Sequence, residues 1–411
     1  MSKKLLVIGY IWPEPSTTAA GCRMLQLLET FAAFGYQVTF ASTASKTDYS
    51  QDLASMGIKE VSIKLNHSSF DDFVKQLVPD VVVFDRFMVE EQFGWRVSEF
   101  APQAIRILNT EGLHALRKAR EEAHKKGQSF GIAHWKNHPM TLREVASIYR
   151  CDLSLMISTY EMEILAHELD IPGQLLHHLP FMVDGSSGFT ADWVPFEARK
   201  GFVGIGNGKH APNVDAVKVL KQEVWPRICK RLPDAELHIY GAYLPQQVNE
   251  MHSPSTGFYV LGWATEVHAV LNSARVLLAP LQFGAGIKGK LLDAMKTGTP
   301  SVTTTIGAEG MHGNLAWNGT VTNDWDHFAQ AAVDLHQNQT LWENAQQQGA
   351  ELLRTFYDKE AVQAQLKDRL QHLSKALGTH RAQNFIGKLL QHQTLASTKY
   401  MAKWIEEKNR G

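Results

Sequence analysis

The chain has 411 residues, more than the roughly 250–300 at which a single hydrophobic core stops growing, so two or three domains are expected. Hydrophobic residues make up 44% and charged residues 20%, a composition typical of globular domains rather than disordered chains. The formal net charge of −1 argues against a positive electrostatic field over the whole protein of the kind that binds nucleic acid. Three widely spaced cysteines exclude a disulfide framework.

The amino terminus carries two lysines and a short apolar run that ends at Trp12-Pro13. A signal peptide would need a longer apolar stretch and a cleavage site of small residues. A membrane-spanning helix would need about 18 consecutive apolar residues, and the sequence contains no such stretch. We therefore expect a cytoplasmic protein without a membrane span.

The N-terminal half alternates short apolar runs with amphipathic stretches. Strands are predicted at 5–9, 37–41, 81–84, 104–108 and 153–157, and the spacing at 21–34 predicts a helix. A second series follows, with strands at 201–204, 236–240, 276–279 and 300–304, a helix at 211–231, and helices from 325 onward. This alternation predicts parallel sheets covered by helices on both faces.

The predicted architecture is α/β, with two doubly wound Rossmann-like domains that face a cleft. The expected N-terminal, acceptor-side domain spans residues 1–182 and is followed by a linker at 183–200, which contains a Gly/Ser-rich stretch. The expected nucleotide-sugar-binding domain spans 201–360, and 361–411 is predicted to be a helical tail.

The most informative segment, residues 283–300, follows a predicted strand and leads into a helix. Its glycines at 284, 286 and 289 allow the backbone to approach a ligand closely, and Lys288 and Lys290 add two cations near the helix start. Such a combination is what a diphosphate requires. The alternative is a flexible connector with solvated lysines, and the order of strand, loop and helix favours the diphosphate.

The same segment resembles the nucleotide-sugar signature of retaining glycosyltransferases with the GT-B fold, family 4 (group 1 type). That family carries two glutamates separated by seven residues, followed by Ala-Met-Ala-x-Gly-x-Pro. Asp293 here stands in place of the second glutamate, and Ala285 occupies the position of the first. The loop is similar to that of a subgroup with Gly-x-Gly-x-Lys-x-Lys before the acidic residue.

Three further segments, at 202–215, 233–241 and 261–263, resemble the donor domain of that family, as does the loop at 306–310. The resemblance implies C-terminal helices that cross back to the first domain. It implies donor contacts at Gly204, Gly206, Asn207, Gly241, Gly262, Trp263, Gly284, Gly286, Ile287, Gly289, Leu291 and Asp293.

In the N-terminal half, Gly21 and Arg23 lie where the family has a glycine-rich loop and a basic residue that faces the cleft. His114 is expected near the donor sugar, with Arg117 on the same side; the alternative is an ordinary surface histidine. Ser158 and Glu161 resemble the family's Ser-x-x-Glu helix start, and we interpret them as a capping box.

Several other motifs do not support a metal site. Asp324 and Asp326 form an Asp-x-Asp motif, but they precede a helix and are interpreted as its cap. His134 and His138 have i, i+4 spacing, but Asn137-His138-Pro139 breaks the helix that would align them. The adjacent histidines at 177–178 would point to opposite faces of a strand. The lysine-rich tail with Trp404 is compatible with peripheral membrane contact, although a packed amphipathic helix is favoured.

The resemblance implies a nucleotide-sugar-dependent hexosyltransferase, active in polysaccharide biosynthesis, that transfers to a saccharide or other small acceptor with retention and without metal. Lys288, Lys290 and backbone N–H groups near Gly206 and Gly286 would stabilise the leaving diphosphate. No cofactor is expected beyond the nucleotide-diphosphate sugar, and no nucleic-acid partner. The absent first glutamate leaves open a non-catalytic nucleotide-sugar-binding subunit. A sugar phosphorylase would need a lysine-bound pyridoxal phosphate, and an oxidoreductase a glycine fingerprint that the first strand lacks.

Overall fold

The computed structural model describes residues 2–185 and 193–392, together with Ser397, Tyr400, Met401, Trp404 and Lys408. Residues 186–192 of the predicted linker lie outside this part of the chain, as does most of the predicted tail beyond 392.

Seven parallel strands form the sheet of the N-terminal domain, in the order β3-β2-β1-β4-β5-β6-β7. The central strands are buried on both faces, which explains why their sequences are continuous apolar runs. The strands are β1 (Lys4–Gly9), β2 (Gln37–Ser42), β3 (Lys59–Ser62), β4 (Val81–Asp85), β5 (Ile105–Asn109), β6 (Leu153–Met156) and β7 (Leu176–His178).

Helices cover both faces of this sheet. The first begins at Thr18, whose side chain accepts a hydrogen bond from the backbone N–H of Gly21. The helices are α1 (Ala19–Ala33), α2 (Ser69–Leu77), α3 (Phe87–Phe100), α4 (His114–Lys125), α5 (Ile132–Lys136), α6 (Pro139–Arg150) and α7 (Thr159–Leu169), with 3₁₀ turns at Ala54–Met56 and Gly173–Leu175.

The second domain contains a six-stranded parallel sheet in the order β10-β9-β8-β11-β12-β13. Strands β3, β7, β10 and β13 were not among the predicted strands. All four lie at a sheet edge and are only partly buried, so their sequences lack a continuous apolar run. The strands are β8 (Lys200–Ile205), β9 (Leu237–Tyr240), β10 (Phe258–Gly262), β11 (Ala274–Ala279), β12 (Ser301–Thr303) and β13 (Gly319–Val321).

The predicted helix at 211–231 is present but contains a π-helical turn at Leu220–Val224. Pro226 follows directly and has no N–H for an α-helical bond, which accounts for the irregular turn. The helices are α8 (Ala211–Val219), α9 (Trp225–Cys229), α10 (Gln246–Asn249), α11 (Val267–Ser273), α12 (Gly289–Lys296), α13 (Thr305–Ala308), α14 (Trp325–Gln337) and α15 (Gln339–Phe356), with 3₁₀ turns at Phe196–Ala198 and Pro254–Thr256.

The chain then crosses back to the N-terminal domain. At the crossing, the N–H of Val183 donates to the carbonyl oxygen of Tyr357, and the carbonyl oxygen of Val183 accepts a hydrogen bond from the N–H of Lys359. Helix α16 (Lys359–Gln383) packs Leu366, Leu370 and neighbouring apolar residues into the N-terminal core, and α17 (Phe385–His392) lies against α6. The predicted fold, two Rossmann-like domains with C-terminal helices that cross back, is confirmed.

Truncation of Leu366 should test this crossing. The side chain is fully buried in the N-terminal core, so Leu366→Ala should lower the free energy of unfolding by about 2–5 kcal/mol. Urea unfolding followed by tryptophan fluorescence measures the loss. Leu341→Ala, at a position 42% exposed, is the matched control and should change stability by less than about 0.5 kcal/mol.

No helix in the described part of the chain is long and apolar enough to cross a membrane.

Candidate functional site

The carboxyl ends of the two parallel sheets face each other, and the loops that leave them form the cleft between the domains. In an open α/β sheet this edge is where ligands bind. On the C-terminal side, the loop after β11 leads through residues 280–288 into α12. On the N-terminal side, the loops after β1, β4 and β5 lead into α1, α3 and α4.

The two lysines of the glycine-rich loop are both held by neutral oxygen atoms. The Lys288 Nζ donates to the carbonyl oxygen of Gly286 at 2.8 Å, and the Lys290 Nζ donates to the Asn213 Oδ1 at 2.7 Å. Burial lowers the pKa of each lysine to about 8. Among the described residues neither lysine forms an ion pair, although the charges of Glu309 and Glu161 act on Lys288 at longer range. A desolvated cation of this kind is poised to take an anionic ligand.

Two of the predicted donor-binding positions, Gly206 and Gly241, are packed together beside Lys290. A Cβ at Gly206 would lie 2.8 Å from the Lys290 Nζ and 2.6 Å from the Asn213 Cγ, so glycine is required there for space. A Cβ at Gly241 would in turn overlap the carbonyl oxygen of Gly206 at 2.1 Å. The loops after β8 and β9 therefore pack against the glycine-rich loop.

The backbone N–H groups predicted to hold the diphosphate are already bonded. The N–H of Gly206 donates to the carbonyl oxygen of Tyr240 at 3.0 Å, because the loop continues the pairing of β8 with β9. The N–H of Gly286 donates to the Glu161 Oε1 at 2.7 Å. These two N–H groups are therefore engaged in this structure, and the role of other backbone N–H groups near them stays a prediction.

Glu161 is not the capping residue that we predicted. Its buried carboxylate accepts hydrogen bonds from the N–H groups of Leu113 and Gly286 and so connects the two domains. The Ser158 side chain makes no cap hydrogen bond. Burial raises the pKa of Glu161, and its Oε2 has no hydrogen-bond partner. The Ser-x-x-Glu spacing was a misleading signal, because the glutamate faces the opposite domain.

Gly286 adopts a φ of +67°, a conformation that favours glycine. A Cβ there would contact the Cα of Gly112 at 3.3 Å, and Gly112 itself has a φ of +84°. Two glycine loops from opposite domains therefore meet backbone to backbone, which allows the cleft to be narrow at this point.

Asp293 lies on α12 with its side chain 30% exposed. Its Oδ1 is 3.2 Å from the Lys296 Nζ and 3.8 Å from the His268 Nε2. Burial opposes its negative charge, but the neighbouring His268 and the charge of Lys296 outweigh that effect and lower the pKa of Asp293. The carboxylate is therefore ionised and can accept further hydrogen bonds.

The remaining predicted donor positions divide into structural and cleft residues. Leu291 is fully buried in the C-terminal core, and its N–H donates to the carbonyl oxygen of Lys288, so its side chain is not a donor contact. Gly204 is required by packing, since a Cβ would lie 2.8 Å from the Ile239 side chain. Four predicted donor positions remain in the glycine-rich loop or in the turns beside it: Gly262, Gly284, Ile287 and Gly289.

A loop of the N-terminal domain covers two predicted donor residues. The Asn207 Nδ2 donates to the carbonyl oxygen of Thr17 at 3.1 Å, and the Trp263 Nε1 donates to that of Ser16 at 3.4 Å. Gly21 makes this loop possible, because a Cβ there would lie 2.5 Å from the backbone of Glu14. Its role is thus to position the loop after β1.

Arg23 does not face the open cleft as predicted. Its guanidinium is buried and donates to the Asn109 Oδ1, to the Glu111 Oε1 at 2.7 Å and to the carbonyl oxygen of Leu179 at 2.8 Å. Glu111 has a φ of +51° and precedes Gly112. Arg23 therefore holds the glycine loop of the N-terminal domain in place from behind.

His114 begins α4, where the Glu144 carboxylate accepts hydrogen bonds from its backbone N–H and that of Ala115. The Arg117 guanidinium donates to the His114 Nδ1 at 3.0 Å, which places the imidazole proton on Nε2. Burial, followed by the charges of Arg117, Arg86 and His210, lowers the pKa of His114 well below its usual value. The neutral ring thus has a buried Nε2–H without a partner.

The domains are also linked by a bidentate ion pair between Arg120 and Glu309, in which two guanidinium nitrogens each lie 2.7 Å from a carboxylate oxygen. Neither residue was among the predicted site residues. Arg120 also donates to the carbonyl oxygen of Gly284 at 2.8 Å. A signal was present in the sequence, because His114, Arg117, Arg120 and His124 follow helical spacing along α4. This basic stripe faces the second domain, where His124 contacts Asp215 at 3.3 Å.

The Asp-x-Asp motif has structural roles. The Asp324 Oδ1 accepts a hydrogen bond from the N–H of His327 and caps α14, as predicted. The Asp326 carboxylate contacts Arg227 at 3.1 Å. In the described ranges, no three side chains of His, Cys, Asp or Glu are grouped as a metal ion would need.

The architecture and cleft are those of the GT-B class of glycosyltransferase structures, and residues 199–338 match the family model described as Glycosyl transferases group 1. A curated relative, an uncharacterized 44.6 kDa protein in the cps region of Klebsiella pneumoniae, is 27% identical over 149 residues. That alignment covers 33% of this chain and 36% of the relative, so it spans about a third of either protein.

Solved structures with the same fold match nearly the whole chain. TarM, known from Staphylococcus aureus, has a TM-score of 0.68 and 10% identity, with 90% of this chain and 99% of TarM covered. Sucrose-phosphate synthase from Thermosynechococcus elongatus has a TM-score of 0.65 and 14% identity, with 91% of this chain and 100% of the synthase chain covered. Anabaena HepE, solved with UDP-glucose, has a TM-score of 0.63 and 12% identity, with 90% of this chain and 100% of the HepE chain covered.

Proposed function

We propose that this protein is a glycosyltransferase that moves a sugar from a nucleoside-diphosphate donor to a small acceptor, with retention and without a divalent metal. The observation that carries the proposal is the pair Lys288 and Lys290, buried at the glycine-rich loop with neutral oxygen partners. They lie within the segment that matches the group 1 family model. Anabaena HepE, which shares the fold, was solved with UDP-glucose.

Charge on the leaving diphosphate is the main energetic obstacle in glycosyl transfer, and preorganised cations in a desolvated site lower that barrier most effectively. Lys288 and Lys290 supply two such cations. Asp293 accepts hydrogen bonds from the ribose hydroxyls, and the departing phosphate takes the acceptor proton, so the chain needs no dedicated base. Retention rests on the likeness of the 283–300 segment to the retaining family.

A thermal-shift panel of nucleotide sugars tests donor binding. A ligand present at 100 times its dissociation constant adds about 2.7 kcal/mol of stability, which is easily detected. We expect one nucleotide sugar, and its nucleoside diphosphate, to stabilise the protein. If no nucleotide sugar and no nucleoside diphosphate does so, the proposal is wrong.

The affinity for the diphosphate should fall as pH rises through 8. Burial lowers the pKa of both lysines to about 8, so the empty site loses its positive charge above that pH. The dissociation constant should rise about tenfold per lysine between pH 7 and 9. Calorimetric titration measures it, with the Lys288→Met/Lys290→Met double variant as control. A wild-type profile no steeper than that of the double variant would contradict the assignment.

Chelation should leave activity unchanged. Asp324 is occupied as a helix cap and Asp326 by Arg227, and the lysines supply the charge that a metal would otherwise provide. Release of nucleoside diphosphate from the donor should therefore proceed at the same rate in EDTA. Loss of activity in EDTA with recovery on addition of manganese would show that a metal is required.

A further inference from the structure

The acceptor side of the cleft contains two arginines that the proposed donor site does not use. Arg86 stands between β4 and α3, and Arg117 lies in the first turns of α4. The centres of the Phe87 and His114 rings are 5.9 Å apart, so the first residue of α3 packs against the first residue of α4. Both arginines are carried by the N-terminal domain, whereas Lys288 and Lys290 belong to the opposite domain.

Neither guanidinium contacts a carboxylate within the ranges that the structure describes. Arg117 donates to the neutral His114 ring, and Arg86 lies 4.9 Å from the centre of the Tyr10 ring. The Arg86 Nε is buried without a hydrogen-bond partner, and so is the His114 Nε2. Buried donors are normally satisfied, so the Arg86 Nε indicates a missing acceptor group beside it.

The acidic residues nearby are bonded elsewhere. Asp85 accepts hydrogen bonds from the N–H of Tyr10 and the side chain of Asn109. Glu144 caps α4, and Glu161 holds the glycine loops. In the described ranges neither arginine therefore forms an ion pair; Asp85 acts on Arg86, and Glu144, Glu161 and Glu121 act on Arg117, only at longer range.

The backbone also points to a constrained role for Arg86. Its φ is +75°, a region that residues with a side chain rarely adopt, and its N–H is fixed to the carbonyl oxygen of Asn109 at 2.7 Å. Such conformations persist where the surrounding structure enforces them, and they concentrate at ligand sites. Here the result is a guanidinium presented from the end of a central strand.

We propose that Arg86 and Arg117 form a second anion subsite, on the acceptor side of the cleft, which binds an oxyanion of the acceptor, either phosphate or carboxylate. Guanidinium groups suit this task because they bind such anions through paired hydrogen bonds. The proposal rests on the proposed function for the donor. It implies that the substrate of this enzyme is an anionic saccharide or another small anionic acceptor.

The test measures a second anion on protein that already holds UDP. UDP-saturated protein is titrated with inorganic phosphate, and separately with acetate, at constant ionic strength, with thermal stability as the readout. We expect saturable stabilisation by at least one of the two anions, and which one acts distinguishes phosphate from carboxylate. Arg86→Gln and Arg117→Gln should each raise the apparent dissociation constant at least tenfold, and Arg231→Gln, at an exposed arginine in the other domain, should change it less than twofold.

Absence of any saturable effect on wild-type protein, or an effect that survives both substitutions, would overturn the proposal. A tenfold loss of UDP affinity in Arg86→Gln would also overturn it, by assigning the arginines to the donor diphosphate. If UDP itself does not bind, the proposed function fails instead, and phosphate titration of the UDP-free variants still reports on the arginines.

A paired acceptor assay gives a second, independent readout. Glucose is compared with glucose 6-phosphate and with glucuronate for acceleration of nucleoside-diphosphate release. We expect an anionic member alone to accelerate release, and Arg86→Gln to remove that acceleration while Arg86→Lys retains part of it. Equal acceleration by glucose would contradict the subsite.

Discussion

Lys288→Met and Lys290→Met should each weaken nucleoside-diphosphate binding by roughly 10- to 150-fold and leave nucleoside binding within about twofold. The expectation follows from the loss of one hydrogen bond to a charged group, about 1.5–3 kcal/mol. Methionine retains the length of the side chain and removes a buried charge, so the variants should be at least as stable as the wild type without ligand. Calorimetric titration with the diphosphate and the nucleoside measures the difference.

Asp293→Asn is the control for this pair. Because its carboxylate is assigned to the ribose hydroxyls, which both ligands share, it should weaken nucleoside and nucleoside-diphosphate binding alike. If a lysine variant loses the same affinity for the nucleoside as for the nucleoside diphosphate, that lysine does not contact the diphosphate.

His114→Ala should lower turnover by about 10²–10³ while donor affinity changes little. The neutral ring carries a buried Nε2–H that has no partner among the described residues, and removal of one such donor from a transition-state site typically costs that much. Initial rates of nucleoside-diphosphate release under saturating donor measure the turnover, and thermal shift with the donor measures affinity.

His167→Ala, at an exposed position near the end of α7, is the matched control and should leave turnover within twofold. If His114→Ala retains full turnover, or instead abolishes donor binding, the placement of this histidine beside the reacting sugar is wrong.

The sequence was sufficient to predict the fold and the glycine-rich loop, because both follow from local patterns. Buried apolar runs such as the one at Val81–Asp85 are typical of central parallel strands, and Lys288 and Lys290 lie two residues apart at a helix start. Their convergence with Gly206 depends on the order of strands in the sheet, which the alternating pattern does not specify.

Contacts between the domains could not be predicted in the same way. Glu161 has the spacing of a helix cap, yet it accepts hydrogen bonds from residues 48 and 125 positions away, Leu113 and Gly286. Arg23 was expected at the cleft, but it is buried and donates a hydrogen bond to Glu111, 88 residues later in the chain. The bond between Glu161 and Gly286 depends on how the two domains meet, and the pair Arg23–Glu111 on how distant segments of the N-terminal domain meet; local spacing encodes neither.

Arg86 was missed for a related reason. It follows a strand in which all residues are buried, and the sequence gives no sign that its backbone adopts a positive φ. Only the folded sheet shows that it neighbours α4.

Release of nucleoside diphosphate from the donor, measured without acceptor, tests the central claim most directly. Water then takes the place of the acceptor, so the assay needs no knowledge of the natural acceptor. We predict slow but continuous release by the wild-type protein, at least 100-fold slower in the Lys288→Met/Lys290→Met double variant. A protein that binds the nucleotide sugar and keeps it intact, with no release above that of the double variant, would instead be a binding subunit and would contradict a catalytic role for this cleft.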